Sequence, residues 1–384
     1  MVRRIKKFLV TPAFLLFCSC GTTESFTAGK NEWVPDRSVK HSKLFAVARK
    51  GDATSLYLKG KRYADDTTAV FVLYNGIKPE YVTGTARVYF IKKPCRNIAS
   101  LSSVYTQMLF ELNKLDVVKA IDNIDYVNNP AILKKCEEEE LPELARTPNI
   151  EVEQTIALAP DVVFFYGMGD GRAPDRRIEK AGIPVVESVD HLEETPLARA
   201  EWIKFFAEFV GRRSLADSIF AVCEEKYELL KWRVEELDKK PTVFNEIKYS
   251  DAWYMPGGKS YVARLLKDAG ARYLWEDNDE AGSLPLSFEA VFAKAKMADY
   301  WIHLSTVRSK KELLSYERRY AAFKAFKTGN LYNNTKVTNT KGYSTYWESG
   351  MVHPERILED LVKIFHPEIA DSLQEELFYY EQIR

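Results

Sequence analysis

The sequence predicts an α/β protein of two Rossmann-like lobes joined by a long rigid α-helix, with a small β extension at the N-terminus. A segment that occurs twice indicates the lobes: an acidic residue, an apolar helical stretch, Pro-Asp or Ala-Asp, then an apolar strand. One copy is Glu153 followed by QTIALAPDVVFFYG, and the other is Glu289 followed by AVFAKAKMADYWIHL. Between the copies lies one long helical pattern, over 196–239, whose weakest position is Gly211. Two lobes on one connecting helix suggest a clamp that holds a ligand.

The N-terminal residues have the pattern of an export signal. Arg3, Arg4 and two lysines precede the apolar run 8–17, and Ser19-Cys20-Gly21 follows it. The run is too short to span a membrane as a mature helix. We therefore expect a lipoprotein signal with Cys20 acylated after cleavage, and plain secretion from a nearby site is the alternative.

Length and patterning divide the chain into six parts. Residues 21–40 are polar and rich in turn formers, which predicts a tether, and short alternating segments over 44–82 predict antiparallel strands. The predicted parts are the signal peptide (1–19), the tether (20–43), the β extension (44–85), the first lobe (86–195), the linking helix (196–240) and the second lobe (241–384).

The composition fits an extracytoplasmic soluble protein. Lys plus Arg and Asp plus Glu number 55 each, so no overall charge draws the chain to nucleic acid. With Cys20 lipidated, Cys95, Cys136 and Cys223 are too few for a disulfide framework, and whether two of them pair is left open.

Candidate ligand contacts in the first lobe follow its predicted strands, because open α/β sheets bind ligands at the carboxyl ends of strands. Ser103, Tyr105 and Thr106 follow the strand predicted over 86–91, although a capping serine and a core aromatic explain them equally well. Tyr166 ends a second strand, and the glycine-rich loop after it carries Arg172. Arg172 is a candidate partner for an anionic chelate, and Tyr166 for haem iron or a macrocycle.

Candidate contacts in the second lobe are aromatic. Trp253 is the strongest single candidate, because it stands beside the glycine-rich turn 257–260; packing as local core is the alternative. A second aromatic loop precedes the predicted helix at HPERILEDLVKIF. The full second-lobe set is Tyr249, Trp253, Tyr254, Tyr343, Tyr346 and Trp347.

Three motifs in this order resemble the helix-linked substrate-binding proteins of ABC importers for ferric siderophores, haem and cobalamin. They are TPNI at 147–150 leading to Glu153 and ALAPD, then WY at 253–254 followed by GGKS and LLKDAGARYLW, then LSFE at 286–289. The resemblance covers roughly residue 87 to the C-terminus.

The resemblance implies partners and a mode of docking. In this family one surface acid on each lobe meets arginines of the permease, and the matching residues are Glu153 and Glu289, with Glu151 as a competing choice for the first lobe. Both positions also fit ordinary acids that stabilise helix N-termini. We expect an ABC importer permease and a small metal chelate as partners, a monomer, and membrane contact through the lipid anchor only.

The ligand class stays open at this stage. Expected basicity of the cleft favours an anionic ferric siderophore, whereas the aromatic residues and Tyr166 also fit haem or cobalamin. No resident cofactor and no catalysis are expected, since GxSxG and HExxH patterns are absent from the sequence. A chelatase, and a surface lipoprotein that captures ligand without docking to a permease, are the alternatives.

Overall fold

The computed structural model describes residues 32–59, 67–81, 86–138, 141–146, 149–167, 176–370, 373 and 376–384. Cys20, the Thr147-Pro148 part of the first motif, and Arg172 lie outside these residues, so the predictions made for them stay predictions.

A five-stranded sheet opens the described chain. Its strands, in the spatial order of the sequence, are β1 (Val34–Pro35), β2 (Phe45–Lys50), β3 (Ala53–Lys59), β4 (Thr67–Tyr74) and β5 (Arg87–Lys92). The first four are antiparallel neighbours, and β5 runs parallel to β4. The strand predicted over 86–91 therefore exists but does not open the first lobe, because its backbone pairs with the N-terminal sheet.

The first lobe is built on a four-stranded parallel sheet. Its elements are β6 (Ile98–Leu101), α1 (Ser103–Glu111), β7 (Val118–Ile121), α2 (Pro130–Glu137), β8 (Ala145–Arg146), β9 (Asn149–Ile150), α3 (Val152–Leu158), β10 (Val162–Tyr166), α4 (Arg176–Lys180) and β11 (Val185–Ser188). The sheet order is β11-β10-β6-β7, and β8 and β9 form a separate hairpin. Apolar runs such as VVFFY in β10 suit strands that are covered on both faces.

Three helices connect the lobes: α5 (Pro196–Ala200), α6 (Trp202–Val210) and α7 (Arg213–Glu235). The prediction of one continuous helix over 196–239 is wrong, because Gly211 ends α6 in the left-handed conformation, with φ of 64°. Only α7, 23 residues long, is the long helix. Its buried positions recur every three or four residues and are Ala216, Phe220, Cys223, Tyr227, Leu230 and Val234.

The second lobe has a mostly parallel sheet and a three-stranded antiparallel one. Its elements are β12 (Thr242–Asn245), β13 (Lys248–Tyr249), β14 (Ala252–Pro256), α8 (Tyr261–Asp268), β15 (Arg272–Tyr273), β16 (Ser283–Leu286), α9 (Phe288–Ala295), β17 (Tyr300–Ile302), α10 (Lys310–Tyr316), α11 (Lys324–Thr328), β18 (Leu331–Asn333), α12 (Ser349–Val352), α13 (Pro354–Phe365), α14 (Pro367–Ala370) and β19 (Glu381–Gln382). The main sheet has the order β15-β12-β17-β18-β19, in which only β19 is antiparallel. Strands β13, β14 and β16 form the smaller sheet.

Short 3-10 turns complete the secondary structure of the described residues. They are Leu115–Val117, Ile124–Tyr126, Asp190–Leu192, Arg318–Ala322 and Thr345–Trp347.

The repeated segment is confirmed as a structural unit. In the first lobe α3 runs back from the carboxyl edge of the sheet and β10 returns toward it, and in the second lobe α9 and β17 do the same. Both strands lie inside parallel sheets. The two-lobed α/β architecture follows from these paired units.

Helix α6 lies between the N-terminal sheet and the sheet of the first lobe, and all nine of its residues are buried. Phe45 of β2 packs against Trp202 at one face, with ring centroids 5.1 Å apart. Phe164 of β10 packs against Phe206 at the other, with centroids 4.9 Å apart. The β extension is therefore part of the first lobe's hydrophobic core.

The residues that precede β2 are fixed by a buried carboxylate. Glu201 Oε2 accepts the backbone N–H groups of His41 at 2.8 Å and Ser42 at 2.9 Å, and Oε1 accepts that of Lys40 at 3.0 Å. The Lys204 ammonium lies 2.9 Å from Oε1 and compensates the buried charge. The predicted tether therefore ends before residue 40.

The thiols of Cys95, Cys136 and Cys223 are free. Burial raises the pKa of Cys95 to about 12 and that of Cys136 to about 11, so neither is a reactive thiolate. Within the described residues, no helix has the length and apolarity needed to cross a membrane.

Candidate ligand cleft

The carboxyl ends of the parallel strands of both lobes face a common cleft. In the first lobe β10 ends at Tyr166, and β11 leads into Asp190 and His191; in the second lobe β12 leads into Glu246 and β17 into His303. The switch points of open α/β sheets are where such folds bind ligands. The two lobes touch at one end of this cleft and leave a cavity at the other.

At the closed end, loops that follow β7 and β18 bond across the cleft. Asn339 Nδ2 donates to the backbone carbonyls of Asp125 at 2.7 Å and Val127 at 3.0 Å. Glu348 Oε2 accepts the backbone N–H of Asn128 at 3.0 Å. These bonds join segments more than 200 residues apart, and they hold the lobes together along this edge.

Glu348 is a buried carboxylate at this contact. Its residue is only 2% exposed, and its Oε1 atom is buried with no hydrogen-bond partner among the described residues. Burial raises the pKa of Glu348 to about 7, because the backbone N–H groups of Asn128 and Asn129 offset only part of the desolvation. The lobe contact therefore contains a group that titrates near neutral pH.

At the open end lies a cavity of about 400 Å³. It is lined by residues of both lobes: His191, Glu246, Tyr254, Pro256, Ser260, Tyr261, Val262, Ala281, Gly282 and Ser283. The lining includes no lysine or arginine among the residues that the structure describes. The basic cleft expected from the sequence is therefore not found in this part, and Arg172 lies outside the described chain.

Glu246 directly follows β12 and has an unusual backbone conformation for a non-glycine residue, with φ of 65°. Its N–H donates to the carbonyl of Ile302 at 3.1 Å, and its carbonyl accepts the indole N–H of Trp301 at 2.7 Å. These bonds fix the strained turn from which the side chain enters the cavity. Burial raises the pKa of Glu246 to about 7.

His191 and Tyr166 form the first lobe's side of the cleft. Their ring centroids are 4.5 Å apart and their planes are tilted by 34°. Tyr166 is partly buried, and burial raises the pKa of its hydroxyl. The two rings give a phenol and an imidazole at one place on the cleft wall.

A buried network supports this wall from behind. The carboxylate of Asp190, which is fully buried, accepts the hydroxyl of Tyr105 at 2.7 Å, that of Ser188 at 3.0 Å, and Nε of Arg199 at 3.0 Å. The Arg199 guanidinium lies 5.9 Å from the ring centroid of Tyr261 in the second lobe. Arg199 is thus a buried cation shared by the two lobes, and its charge is balanced by Asp190.

Several predicted contacts are buried and do not reach the cleft surface in this structure. Trp253 is 0% exposed: its indole N–H donates to the carbonyl of Asn245 at 2.9 Å, and it packs among aromatic rings of the second lobe's core. Tyr105 holds Asp190, and Thr106 bonds the Ser100 hydroxyl at 2.9 Å. Tyr346 is also 0% exposed and packs edge-on to Tyr380. Trp253 and Tyr105 therefore pack as core aromatics, which is the alternative that the sequence left open, and Thr106 and Tyr346 are enclosed by their own lobe as well.

The remaining predicted contacts are partly or well exposed. Tyr254 alone among them lines the cavity, and it is 48% exposed. Tyr249 is 75% exposed on the antiparallel sheet, and Ser103 is the partly buried first residue of α1. Tyr343 stacks edge-on against Tyr126 across the closed end of the cleft, with ring centroids 4.7 Å apart. Trp347 is 52% exposed, and its ring packs edge-on against that of Tyr346.

The glycines of the GGKS turn are required by close packing. A Cβ atom on Gly258 would lie 2.2 Å from the carbonyl oxygen of Asn278, and one on Gly257 would lie 2.2 Å from that of Glu280. Ser260 caps α8 by accepting the N–H of Ala263 at 3.1 Å. This turn packs against the 275–282 loop. Close packing therefore accounts for its two glycines, and a bound phosphate is not required to explain them.

The two predicted docking acids occupy equivalent places. Glu153 lies in the first turn of α3 with its side chain 78% exposed, and Glu289 lies in the first turn of α9 with its side chain 73% exposed. Each pairs with an arginine of its own lobe: Glu153 with Arg177 at 2.8 Å, and Glu289 with Arg319 at 2.9 Å. Both carboxylates lie at the cleft side of their lobes, since α3 and α9 begin at the carboxyl edge of the sheets.

Of the ten residues that line the cavity, sequence reasoning predicted Tyr254 and missed nine, among them His191, Glu246 and Tyr261. Glu246 carried a usable signal, because it directly follows the apolar strand TVFN, where parallel sheets bind ligands. His191 follows VVES in the same way. Tyr261 gave no such signal, since it is the first residue of a helix.

The family assignment rests on a sequence match. The model of the periplasmic binding protein family matches residues 98–337, which include both parallel sheets up to β18. The chain belongs to the periplasmic binding protein family. Members of this extracytoplasmic family bind substrates and are not enzymes, and the matched region excludes the N-terminal sheet of this periplasmic binding protein.

Curated relatives come from an archaeon. Two uncharacterized lipoproteins of Methanocaldococcus jannaschii are each 28% identical to this periplasmic binding protein, over 240 and 246 residues. These alignments cover 62% and 61% of this chain, and 55% and 59% of the relatives. The chain thus spans less than two thirds of the length of these relatives.

Solved structures share the fold. FepB, a TroA-like periplasmic binding protein of Veillonella parvula, superimposes with a TM-score of 0.56 at 17% identity, covering 76% of this chain and 96% of that one. The apo form of the periplasmic haem-binding protein RhuT of Roseiflexus sp. RS-1 gives a TM-score of 0.55 at 19% identity, covering 73% and 99%. A periplasmic haem-binding protein of Pseudomonas aeruginosa gives 0.53 at 17%, covering 71% and 93%. At these identities the likeness establishes the fold alone.

Proposed function

We propose that this periplasmic binding protein is a lipid-anchored lipoprotein that captures a metal chelate between its lobes and delivers it to an ABC importer permease. The chelate is an iron chelate, a ferric siderophore, with haem or cobalamin as the alternative ligands. The names of the archaeal relatives support the lipoprotein form, together with the sequence around Cys20. The names of the similar haem-binding proteins support a chelate as cargo.

The observation that carries this proposal is the pair of exposed carboxylates on equivalent helices. Glu153 and Glu289 stand one on each lobe, and each already makes a replaceable surface ion pair with an arginine. Surface pairs of this kind contribute about 0–1 kcal/mol, so a partner's arginine can displace the internal one at small cost. Two separated charges also orient a two-lobed body over a partner that has two equivalent subunits.

Haem has support of its own from the cleft wall. Tyr166 and His191 carry a phenol and an imidazole, both of which ligate haem iron in proteins, and their rings are in contact. A haem titration in which the Soret band shifts, and the shift is lost on Tyr166→Phe, would favour haem over a siderophore.

Charge reversal tests delivery. Glu153→Lys combined with Glu289→Lys is expected to lower uptake of a radiolabelled chelate by about tenfold or more, because like charges then face the permease. Chelate binding to the purified protein is expected to be unchanged, since both carboxylates lie outside the cavity. The matched control is Glu225→Lys, an exposed position on α7.

Two results would contradict the proposal. Unchanged uptake by the double variant would favour a surface lipoprotein that captures ligand without docking to a permease. Release of metal-free or altered chelate by the purified protein would favour a chelatase.

A further inference from the structure

We infer that the interlobe cavity receives a positively charged alkylammonium group of the ligand, with the Glu246 carboxylate as its counter-ion. This inference rests on the proposed function, since it names the part of a chelate that enters the cavity. The inference concerns the charge and the hydrogen-bond donors of this part of the ligand. These properties do not depend on which metal the chelate holds.

The first argument is the unsatisfied carboxylate of Glu246. Its side chain lines the cavity and makes no hydrogen bond or ion pair with any described residue, while its backbone is held by Ile302 and Trp301. Glu246 is half-buried, so its carboxylate keeps contact with solvent in the cavity and is available to a ligand group that enters. The strained φ of 65° keeps the side chain in this position.

The second argument is the ring of Tyr261, which lines the same cavity. Its hydroxyl is enclosed by protein atoms, so a ligand in the cavity meets the ring and not the hydroxyl. The Glu246 carboxylate would repel a carboxylate or phosphate of the ligand and attract an alkylammonium beside this ring.

The third argument is the electrostatic character of the lining. Lysine and arginine are absent from the cavity lining in the described chain, and the aromatic rings of Tyr254 and Tyr261 contribute faces that attract cations. The nearest buried cation, Arg199, is already paired with Asp190 at 3.0 Å. With Glu246 ionised, the cavity therefore carries a negative charge that no lysine or arginine of its described lining balances.

Size agrees with a terminal group. The cavity volume of about 400 Å³ is at the lower end of the range for ligand pockets. An alkylammonium arm fits such a space while the bulk of the chelate lies in the open cleft beside Tyr166 and His191.

The test uses a matched pair of ferric chelates on the purified protein starting at Gly21. Ferrioxamine B carries a free alkylammonium, and its N-acetyl derivative is the same ferric trihydroxamate without that charge. We expect the wild type to bind ferrioxamine B at least about 30-fold more tightly than the acetylated chelate, as for a buried charge pair. Glu246→Gln should remove this preference, and Tyr261→Leu should weaken ferrioxamine B binding about fivefold, because the aromatic face beside the ammonium is lost.

The matched control is Glu280→Gln, an exposed carboxylate in the 275–282 loop beside the cavity. It should keep the full preference. Circular dichroism and urea unfolding of each variant show that it is folded before its affinity is compared.

Three outcomes would overturn the inference and leave chelate capture standing. They are equal binding of the two ferrioxamines, unchanged preference in Glu246→Gln, and tighter binding of the anionic ferric enterobactin than of ferrioxamine B. Tight binding of ferric ion alone that is lost in Glu246→Gln would also overturn it, because the metal itself would then occupy the cavity.

If none of the ferric chelates, haem or cobalamin binds, chelate capture fails, and a second measurement decides the inference. Propylammonium chloride and 1-propanol have the same size and differ in charge. A rise in melting temperature with propylammonium only, absent in Glu246→Gln, supports the cation site, and equal responses to both compounds overturn it.

Discussion

Single positions in the second lobe show where sequence patterns stop being informative. Trp253 and Tyr254 are adjacent in β14, and successive residues of a strand point to opposite faces of the sheet. Trp253 is buried among Phe244, Phe288 and Trp301, whereas Tyr254 lines the cavity. The sequence predicted aromatic ligand contacts here, but only the strand β14 and its tertiary packing determine which of the two neighbouring rings faces the core.

Trp253→Ala is expected to act on stability. Removing a fully buried tryptophan creates a large cavity, so the free energy of unfolding should fall by about 3–5 kcal/mol in urea denaturation. Tyr249→Ala, at a position 75% exposed in the same sheet, is the control and should change it by less than about 0.5 kcal/mol. If Trp253→Ala leaves stability intact and abolishes binding of a chelate, Trp253 is a ligand contact after all.

Helices and strands were predicted well where helix, turn and strand signals follow one another, and poorly where a single short run or one glycine determines the element. The units α3–β10 and α9–β17 follow from their sequences, because an apolar helix, a turn and a buried strand leave few other arrangements. Strand β6 has only four residues, IASL, and was missed, so the first lobe was predicted to begin at β5. The break at Gly211 could not be predicted, because a glycine can either lie within a helix or end it. The packing of α6 determines which of the two occurs.

The loop contact at Glu348 should make stability depend on pH. Its pKa of about 7 in the folded protein exceeds the ordinary value of 4.5, so the folded state binds the proton more tightly. Protonation of Glu348 therefore adds to the free energy of unfolding. This stabilisation is fully present below pH 4.5, is lost as the pH rises through 7, and amounts to about 3 kcal/mol for this pKa shift.

Glu348→Gln removes that titration. The stability of the variant relative to the wild type should therefore rise between pH 4.5 and pH 7.5, in urea unfolding measured at each pH. Glu246, with a pKa raised to about 7, and Asp360, with a pKa raised to about 6, titrate in both proteins. The difference in stability between variant and wild type therefore reports on Glu348 alone. A difference that stays constant over this range would show that the carboxylate is not desolvated.

The molecule as a whole is held together by contacts that no local pattern reveals. Glu201 of the α5–α6 junction binds backbone N–H groups at 40–42, and Asn339 of the second lobe binds carbonyls of the first. Both contacts join residues that are far apart in sequence. The two-lobed class was therefore predictable from repeats, while the closed cleft edge and the attached N-terminal sheet were not.

Truncation of the N-terminus should show how much the contact of Glu201 with residues 40–42 contributes to stability. A chain that starts at Leu44 lacks the donors to Glu201 and leaves that buried carboxylate with Lys204 alone. It should unfold at lower urea concentration, with a loss of about 3 kcal/mol, relative to a chain that starts at Glu32. Equal stability of the two would mean that water replaces the lost donors.

The pairing of β1 with β2 also limits how far the folded body could travel from Cys20 if that residue is lipidated as proposed. Fourteen residues separate Cys20 from Val34, so the connection would span at most about 50 Å when fully extended. Under the proposed function, the protein would then search for its permease only within this distance of the membrane that holds both. Weak docking would be sufficient there, and the two exposed carboxylates would orient the protein without slowing the release of its unloaded form.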